Sequence, residues 1–450
     1  MFVDIKEADF TPESKFMFAF VRLIAIILLA AVAGAASVHF GFFPGVSLSN
    51  AFSGLQALEK QVEQQQNPYN GGTVYFGSKD RGVTVHNPDQ TLDGYTVLVM
   101  GHGDNVLLLD MAGEAAHEWR VNYHEIWDNS GDVQNPVPER FVFIRKAKVY
   151  PDGRLLLIFS AWSTTPYGYG IAMVDRESNV LWKDFRFIHH SFDQASDGTI
   201  YALDQHIEMD VRARYPEVVP PYLDDGIAVY SPDGEFLKRF SLLDSIHESP
   251  FADAVTLLAA SNTGQGFGDA LHANDVDVLD ASMAERFAFA EAGDLLISLR
   301  ELDALVIVDP ETELAKWFQK GYWHRQHDGD FLPNGNMLVF DNHVLATNAE
   351  GNRMSRVIEF DPVSMEIVWE YKQAGGGKFF TTARGSQQRL ENGNTLITES
   401  DRARILEVTP EGEIAWLYTN AVRLGDDEKR MPAVFWAERY TSQQLPFLAP

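Results

Sequence analysis

The chain has 450 residues, 45% apolar and 22% charged, a composition that excludes a disordered protein. Its 36 Lys+Arg against 64 Asp+Glu give a net charge of −28, which argues against sequence-independent binding to nucleic acid. It has no cysteine, so disulfides, thiolate–zinc sites, iron–sulfur clusters and cysteine nucleophiles are all excluded.

The first predicted element is a transmembrane helix over residues 16–38. Leu23 to Val38 carries no charge, and a helix of this length spans a hydrocarbon core of roughly 30 Å. Arg22 lies near its start, where it can snorkel to the interface. A cleaved secretory signal is the competing reading, because Ala33, Gly34, Ala35, Ala36 and Ser37 resemble a cleavage region. The leading tail, residues 1–15, carries Asp4, Glu7, Asp9 and Glu13, unlike the short basic start of a signal, and so favours an uncleaved anchor. Lys6, Lys15 and Arg22 lie at or before the start of the span, and the next basic residue is Lys60. That asymmetry predicts a cytoplasmic tail, with the rest of the chain outside the membrane. Residues 39–72 read as a stalk with a short polar helix over 51–66, stopped at Asn67-Pro68 and Gly71-Gly72.

From residue 73 to 450 the chain repeats. One phrase is a β run, a turn and a second run ending in an aromatic, as in GIAMVDRESNVLW from Gly170 and RVIEFDPVSMEIVWEY from Arg356. It occurs six times, with turns at Asp110, Asp175, Ser231, Asp309, Asp361 and Thr409, a period of about 60 residues. A second phrase alternates with it, a glycine turn followed by an apolar run, as in PDGRLLLIFS at 151 and PNGNMLVFDN at 333. Two strands from each phrase make four per repeat. The expectation is an all-β fold, a six-bladed β-propeller. Strands from Thr73 and Val434 are expected to share the blade that closes the ring.

Equivalent inner-strand positions of a propeller converge on its axis. His190 lies eight residues before the turn glycine Gly198, and His327 lies eight before Gly335. The same offset gives Arg145 from Gly153 and Gly385 from Gly393. LHANDVDV puts His272 and Asn274 at the start of another inner strand, and Arg300 follows LLISL on the same blade. Three histidines can hold zinc, but arginines beside them repel a cation and welcome an anion, so no metal is expected.

These motifs, LHANDVDV with LLISLRELDALVIVD, QHDGDFLPNGNMLVFDN, SRVIEFDP and GSQQRLENGNTLITES, resemble the bacterial arylsulfotransferase (arylsulfate sulfotransferase) family over residues 71–440. The resemblance implies a six-bladed propeller with its site in the central channel. It implies transfer of a sulfuryl group from a phenolic sulfate ester to a phenol, without the nucleotide sulfate donor PAPS. By resemblance His327 is the nucleophile that becomes sulfated, supported by His272, Arg300 and His190, with Asn274 in the motif of His272. Arg145, by its register, joins Asn274 as a substrate-binding residue. The phrase HHS at 189–191 leaves open whether His189 or His190 faces the channel. The expected setting is the bacterial cytoplasmic membrane with the propeller on the periplasmic side, and no cofactor. A non-catalytic binding or assembly module is the alternative function, and a homo-oligomer or a membrane-protein partner stays open.

Overall fold

The computed structural model describes residues 12–39, 72–75 and 79–449, apart from 128–130, 132, 135, 163, 211–217, 219, 255–267, 344–346, 348–350, 352, 373–378 and 427. The polar helix expected over 51–66 lies outside the described residues, as does most of the leading tail. The chain divides into two units, Met1–Pro68 and Tyr69–Pro450.

Among the described residues the first unit contains the helix Pro12–His39, of 28 residues or about 42 Å. Its window Phe20–Ser37 is long and apolar enough to cross a membrane. Phe20, Leu23, Ile26, Ile27 and Leu29 are exposed along it, so this is not the one-sided stripe of a helix packed on a core.

The second unit is a six-bladed β-propeller. Blade 1 runs, from axis to rim, Val434–Tyr440, Tyr95–Met100, Asn105–Leu109 and Ala115–Arg120. Blades 2 to 6 follow the chain over residues 142–184, 188–241, 273–320, 327–371 and 386–419. Second and third strands are covered on both faces by neighbouring blades, so they read as unbroken apolar runs. Leu155–Ala161 is buried throughout, whereas the rim strand Val180–Asp184 is largely exposed. Each buried Leu or Ile contributes about 1.5–3 kcal/mol. The turn glycines Gly153, Gly198, Gly335 and Gly393 have φ between 87° and 91°, which a side chain would strain.

The ring closes differently from expectation. Thr73–Tyr75 does not join Val434–Tyr440; it pairs with Arg430–Pro432 in a two-stranded ribbon. Closure comes from Val434–Tyr440 entering blade 1 as its innermost strand, and from Gly82–His86 adding a fifth strand to the rim of blade 6. The Thr73 run is too short for alternation to fix its partner.

Adjacent blades are clasped at both radii. At the rim, Trp119 Nε1 donates to Gly153 O of the next blade at 3.0 Å, Trp369 to Pro410 O at 2.8 Å, and Trp416 to Met111 O at 3.0 Å. At the axis each innermost strand is a sheet edge with unpaired N–H groups. Acceptors on the preceding blade satisfy them. Asp193 accepts from Val278 N–H, Asp277 from Phe331 N–H, Asp328 from Gln387 N–H and Gln388 from Arg439 N–H, at 2.6 to 2.9 Å.

Candidate active site

The site lies where the innermost strands are bulged. Ladder register slips between Ile144 and Lys146, Ile188 and Phe192, Ala273 and Asp275, His327 and Gly329, and Val434 and Trp436. A bulge adds a residue to one strand and re-aims its side chains. His190, His272 and Arg384 have φ of 51°, 48° and 95°, left-handed conformations costing on the order of 1–3 kcal/mol each.

The result is a cavity of ≈340 Å³. His190, His272, His327, Arg145 and Arg300 all reach its wall, with Arg384, Phe143, Trp162 and Tyr167. Three imidazoles and three guanidiniums line it, and no carboxylate does so among the described residues. In a chain of net charge −28 this is a local inversion of sign. Phe143 and Trp162 stack at 4.8 Å, making a flat aromatic wall.

His327 is buried, with Nδ1 facing Asn342 Oδ1 at 2.6 Å, and its Nε2 accepts the backbone N–H of Arg384 at 3.1 Å. Burial, reinforced by Arg300 and then Arg145, holds the ring well below the usual imidazole range. His190 is held low by burial and Arg145. Between the paired histidines, His190 lines the cavity while His189 is fully buried behind it. Their Nδ1 atoms are 2.9 Å apart, and His189 Nε2 lies 3.5 Å from Asp225 Oδ1.

His272 presents Nδ1 to Asp269 Oδ2, and its ring meets His190 edge-on at 5.0 Å. Burial pushes the Asp269 carboxyl up, but the facing His272 outweighs it and holds the group below its usual value, ionised at neutral pH. Arg300 donates its backbone N–H to His272 O at 3.2 Å, which ties the two residues together. Its Nη1 pairs with Glu301, while its buried Nε has no hydrogen-bond partner among the described residues. Burial and the neighbouring Arg384 pull Arg145 down to about 9, so it stays protonated at neutral pH. Arg384 Nη1 lies 3.7 Å from Asp401 Oδ1, one carboxylate beside two adjacent buried cations, and an anion in the cavity would offset the remaining positive charge.

Asn274 is not brought to the cavity wall. Its Nδ2 donates to Gln326 O at 2.8 Å, bracing the residue before His327. Six contributors escaped the sequence reading: Arg384, Asp269, Asn342, Tyr167, Phe143 and Trp162. Arg384 had a signal, since it precedes Gly385, which shares the offset of His190 and His327 from their turn glycines.

Beyond this cavity the innermost strands line another of ≈290 Å³ and opposite character. Asp193, Asp275, Asp277, Asp328, Asp330 and Glu438 face Lys146, Lys148 and Arg389 there. Burial pushes Asp275, Asp277, Asp328 and Asp330 up.

Among solved structures, the chain is similar to a protein of unknown function from Bacteroides caccae, with 14% identity and a TM-score of 0.47, covering 74% of this chain and 96% of that one. It is also similar to virginiamycin B lyase from Staphylococcus aureus, with 10% identity and a TM-score of 0.39, covering 79% and 89%. Likeness this slight decides nothing about fold or chemistry. No curated protein matches the sequence. A family model described as Arylsulfotransferase (ASST) matches residues 146–421, more than half of the chain, taking in His190, His272, Arg300, His327 and Arg384. The chain belongs to the arylsulfotransferase family.

Proposed function

We propose that this arylsulfotransferase moves a sulfuryl group from a phenolic sulfate ester to a phenolic acceptor through a sulfated His327, without a nucleotide sulfate donor. The observation that carries the reading is the cavity wall: three arginines and three histidines, no carboxylate, and a stacked aromatic face. Arg145, Arg300 and Arg384 suit the sulfate, and Phe143 with Trp162 suits the aryl ring.

A neutral imidazole is a competent nucleophile, and burial keeps His327 neutral. Its Nε2 lone pair attacks sulfur as the S–O bond to the aryl group breaks, and the bond pair leaves with the phenolate. Arg300, through its open Nε, stabilises charge on the sulfuryl oxygens, and the Arg384 N–H, released from Nε2 as that lone pair turns to sulfur, is free to join it. His272, backed by ionised Asp269, protonates the phenolate and later takes the proton of the acceptor phenol. In the second step the acceptor oxygen displaces Nε2 from sulfur and restores the ring. The helix Pro12–His39 anchors the protein, and the basic residues at or before its start put the propeller on the extracytoplasmic side.

The test is incubation of the full-length protein with a chromogenic aryl sulfate, with and without a phenol. Phenol-dependent colour with ping-pong kinetics is expected, together with a sulfated peptide containing His327. His327→Asn should abolish both adduct and transfer. Near-normal transfer by that variant would remove His327 from the mechanism.

A further inference from the structure

We propose that Asn342 is a positioning residue that holds the His327 ring in the tautomer with its proton on Nδ1 and its lone pair on Nε2. The proposal rests on the reading of His327 as the nucleophile.

The geometry leaves Asn342 one orientation. Its Nδ2 donates to Thr381 O at 2.9 Å and to Arg384 O at 2.7 Å, so both amide hydrogens are committed to carbonyls. Oδ1 therefore faces the ring and can only accept, which requires a hydrogen on Nδ1, 2.6 Å away. At the other side of the ring, the Arg384 N–H donates to Nε2 and requires a lone pair there. Both ends specify the same tautomer. Asn342 is fully buried, so water does not compete for its oxygen.

The choice of an amide also separates His327 from its neighbours. His272 is backed by Asp269, and His189, behind His190, by Asp225. A carboxylate partner strongly favours an imidazolium and suits an acid or base; a neutral amide favours it only weakly, which leaves burial and the arginines to keep a nucleophile neutral. The charged and titratable groups facing His327 across the cavity are Arg300, Arg145, Arg384, His272, His190 and Tyr167. None is a carboxylate. On attack, Nε2 gains the sulfur and Nδ1 keeps its hydrogen, so the ring carries a positive charge beside Asn342 Oδ1. With no carboxylate to neutralise that charge, the N–S bond stays labile for the second transfer.

The test uses the full-length protein with isotope-labelled histidine, the His327 ring being identified by its loss in His327→Asn. Nitrogen NMR of the resting protein should show hydrogen on Nδ1 and an unprotonated Nε2. Asn342→Asp keeps the shape but adds a charge. It should convert a rate of adduct formation that does not fall toward pH 6 into one that does, and should lengthen the lifetime of the adduct. In a serine-protease triad a wrongly held ring costs about 10⁴-fold in turnover; a neutral partner orients less strongly, so Asn342→Ala should slow sulfation by about 10²-fold. Should Asn342→Ala fail to fold, the tautomer of the wild-type ring and the Asn342→Asp profile still decide. Hydrogen on Nε2 in the resting protein, or a wild-type profile for folded Asn342→Asp, would overturn the proposal. Absence of any adduct in the wild type sinks the nucleophile reading instead and leaves the tautomer measurable.

Discussion

At the scale of single residues, the site depends on imidazoles that refuse a proton. His327 and His190 are both depressed well below 6.5, first by burial and then by arginines. The first half-reaction should therefore not slow on going from about pH 8 down to about pH 6, where an ordinary imidazole near 6.5 would already be mostly protonated. Stability carries the matching sign. Above 6.5 folded and unfolded rings are both neutral; as pH falls below it the unfolded chain binds protons that the folded one does not, and stability is lost. Melting temperature against pH checks this, and His327→Asn should flatten the fall between about pH 6.5 and 5. A wild-type rate halved at pH 6.5 would show that burial does not hold the ring neutral. His190, His327 and Arg145 were legible in the sequence because they keep one offset from a turn glycine. His272 and Arg300 were legible mainly through family motifs. Arg384 left only an indirect signal, one residue before Gly385 at the shared offset, and its backbone N–H is a donor that any residue type supplies. Asn342 and Asp269 act on the far sides of rings, and side-chain orientation leaves no periodic trace.

At the scale of elements, a propeller solves its edge problem with side chains. The innermost strands cannot pair across the axis, so Asp193, Asp277, Asp328 and Gln388 accept the backbone N–H groups of the next blade. Those acids look like a charged ring in the sequence, yet burial and the nearby Asp193 raise Asp277 far above the ordinary carboxyl range. A raised carboxyl contributes stability that is complete below about 3.8 and is lost as pH rises through the folded value. Asp277→Asn keeps an acceptor and cannot ionise, so it should match or exceed wild-type stability at neutral pH. Asp277→Ala leaves the Phe331 N–H without its partner and should cost about 1–3 kcal/mol. Urea unfolding of the two variants distinguishes them; equal destabilisation would mean that the charge matters, not the acceptor. Blade count and strand order were legible because each blade repeats one turn chemistry. The bulges were not, since one extra residue in a polar strand leaves the apolar pattern untouched.

At the scale of the whole molecule, the chain has two units, and the apolar helix of the first is a candidate membrane span whose orientation can be tested. Protease added to intact spheroplasts should digest the propeller and leave a fragment containing Pro12–His39 in the membrane. A fully protected propeller would reverse the orientation. The ring imposes a further condition, one of timing. The four strands that define each of blades 2 to 6 come from contiguous chain, but in blade 1 Arg439 bonds Thr96, 343 residues away. Closing a loop that long costs roughly 5 kcal/mol of chain entropy. The fully buried Arg439–Glu407 ion pair forms only after that closure. Five blades can therefore assemble while synthesis proceeds, whereas the sixth waits until residue 440 has been delivered. The cavity walls come from blades 2 to 6, so until that moment the site residues stand on an open arc of blades, and only the last strand locks their spacing into a ring.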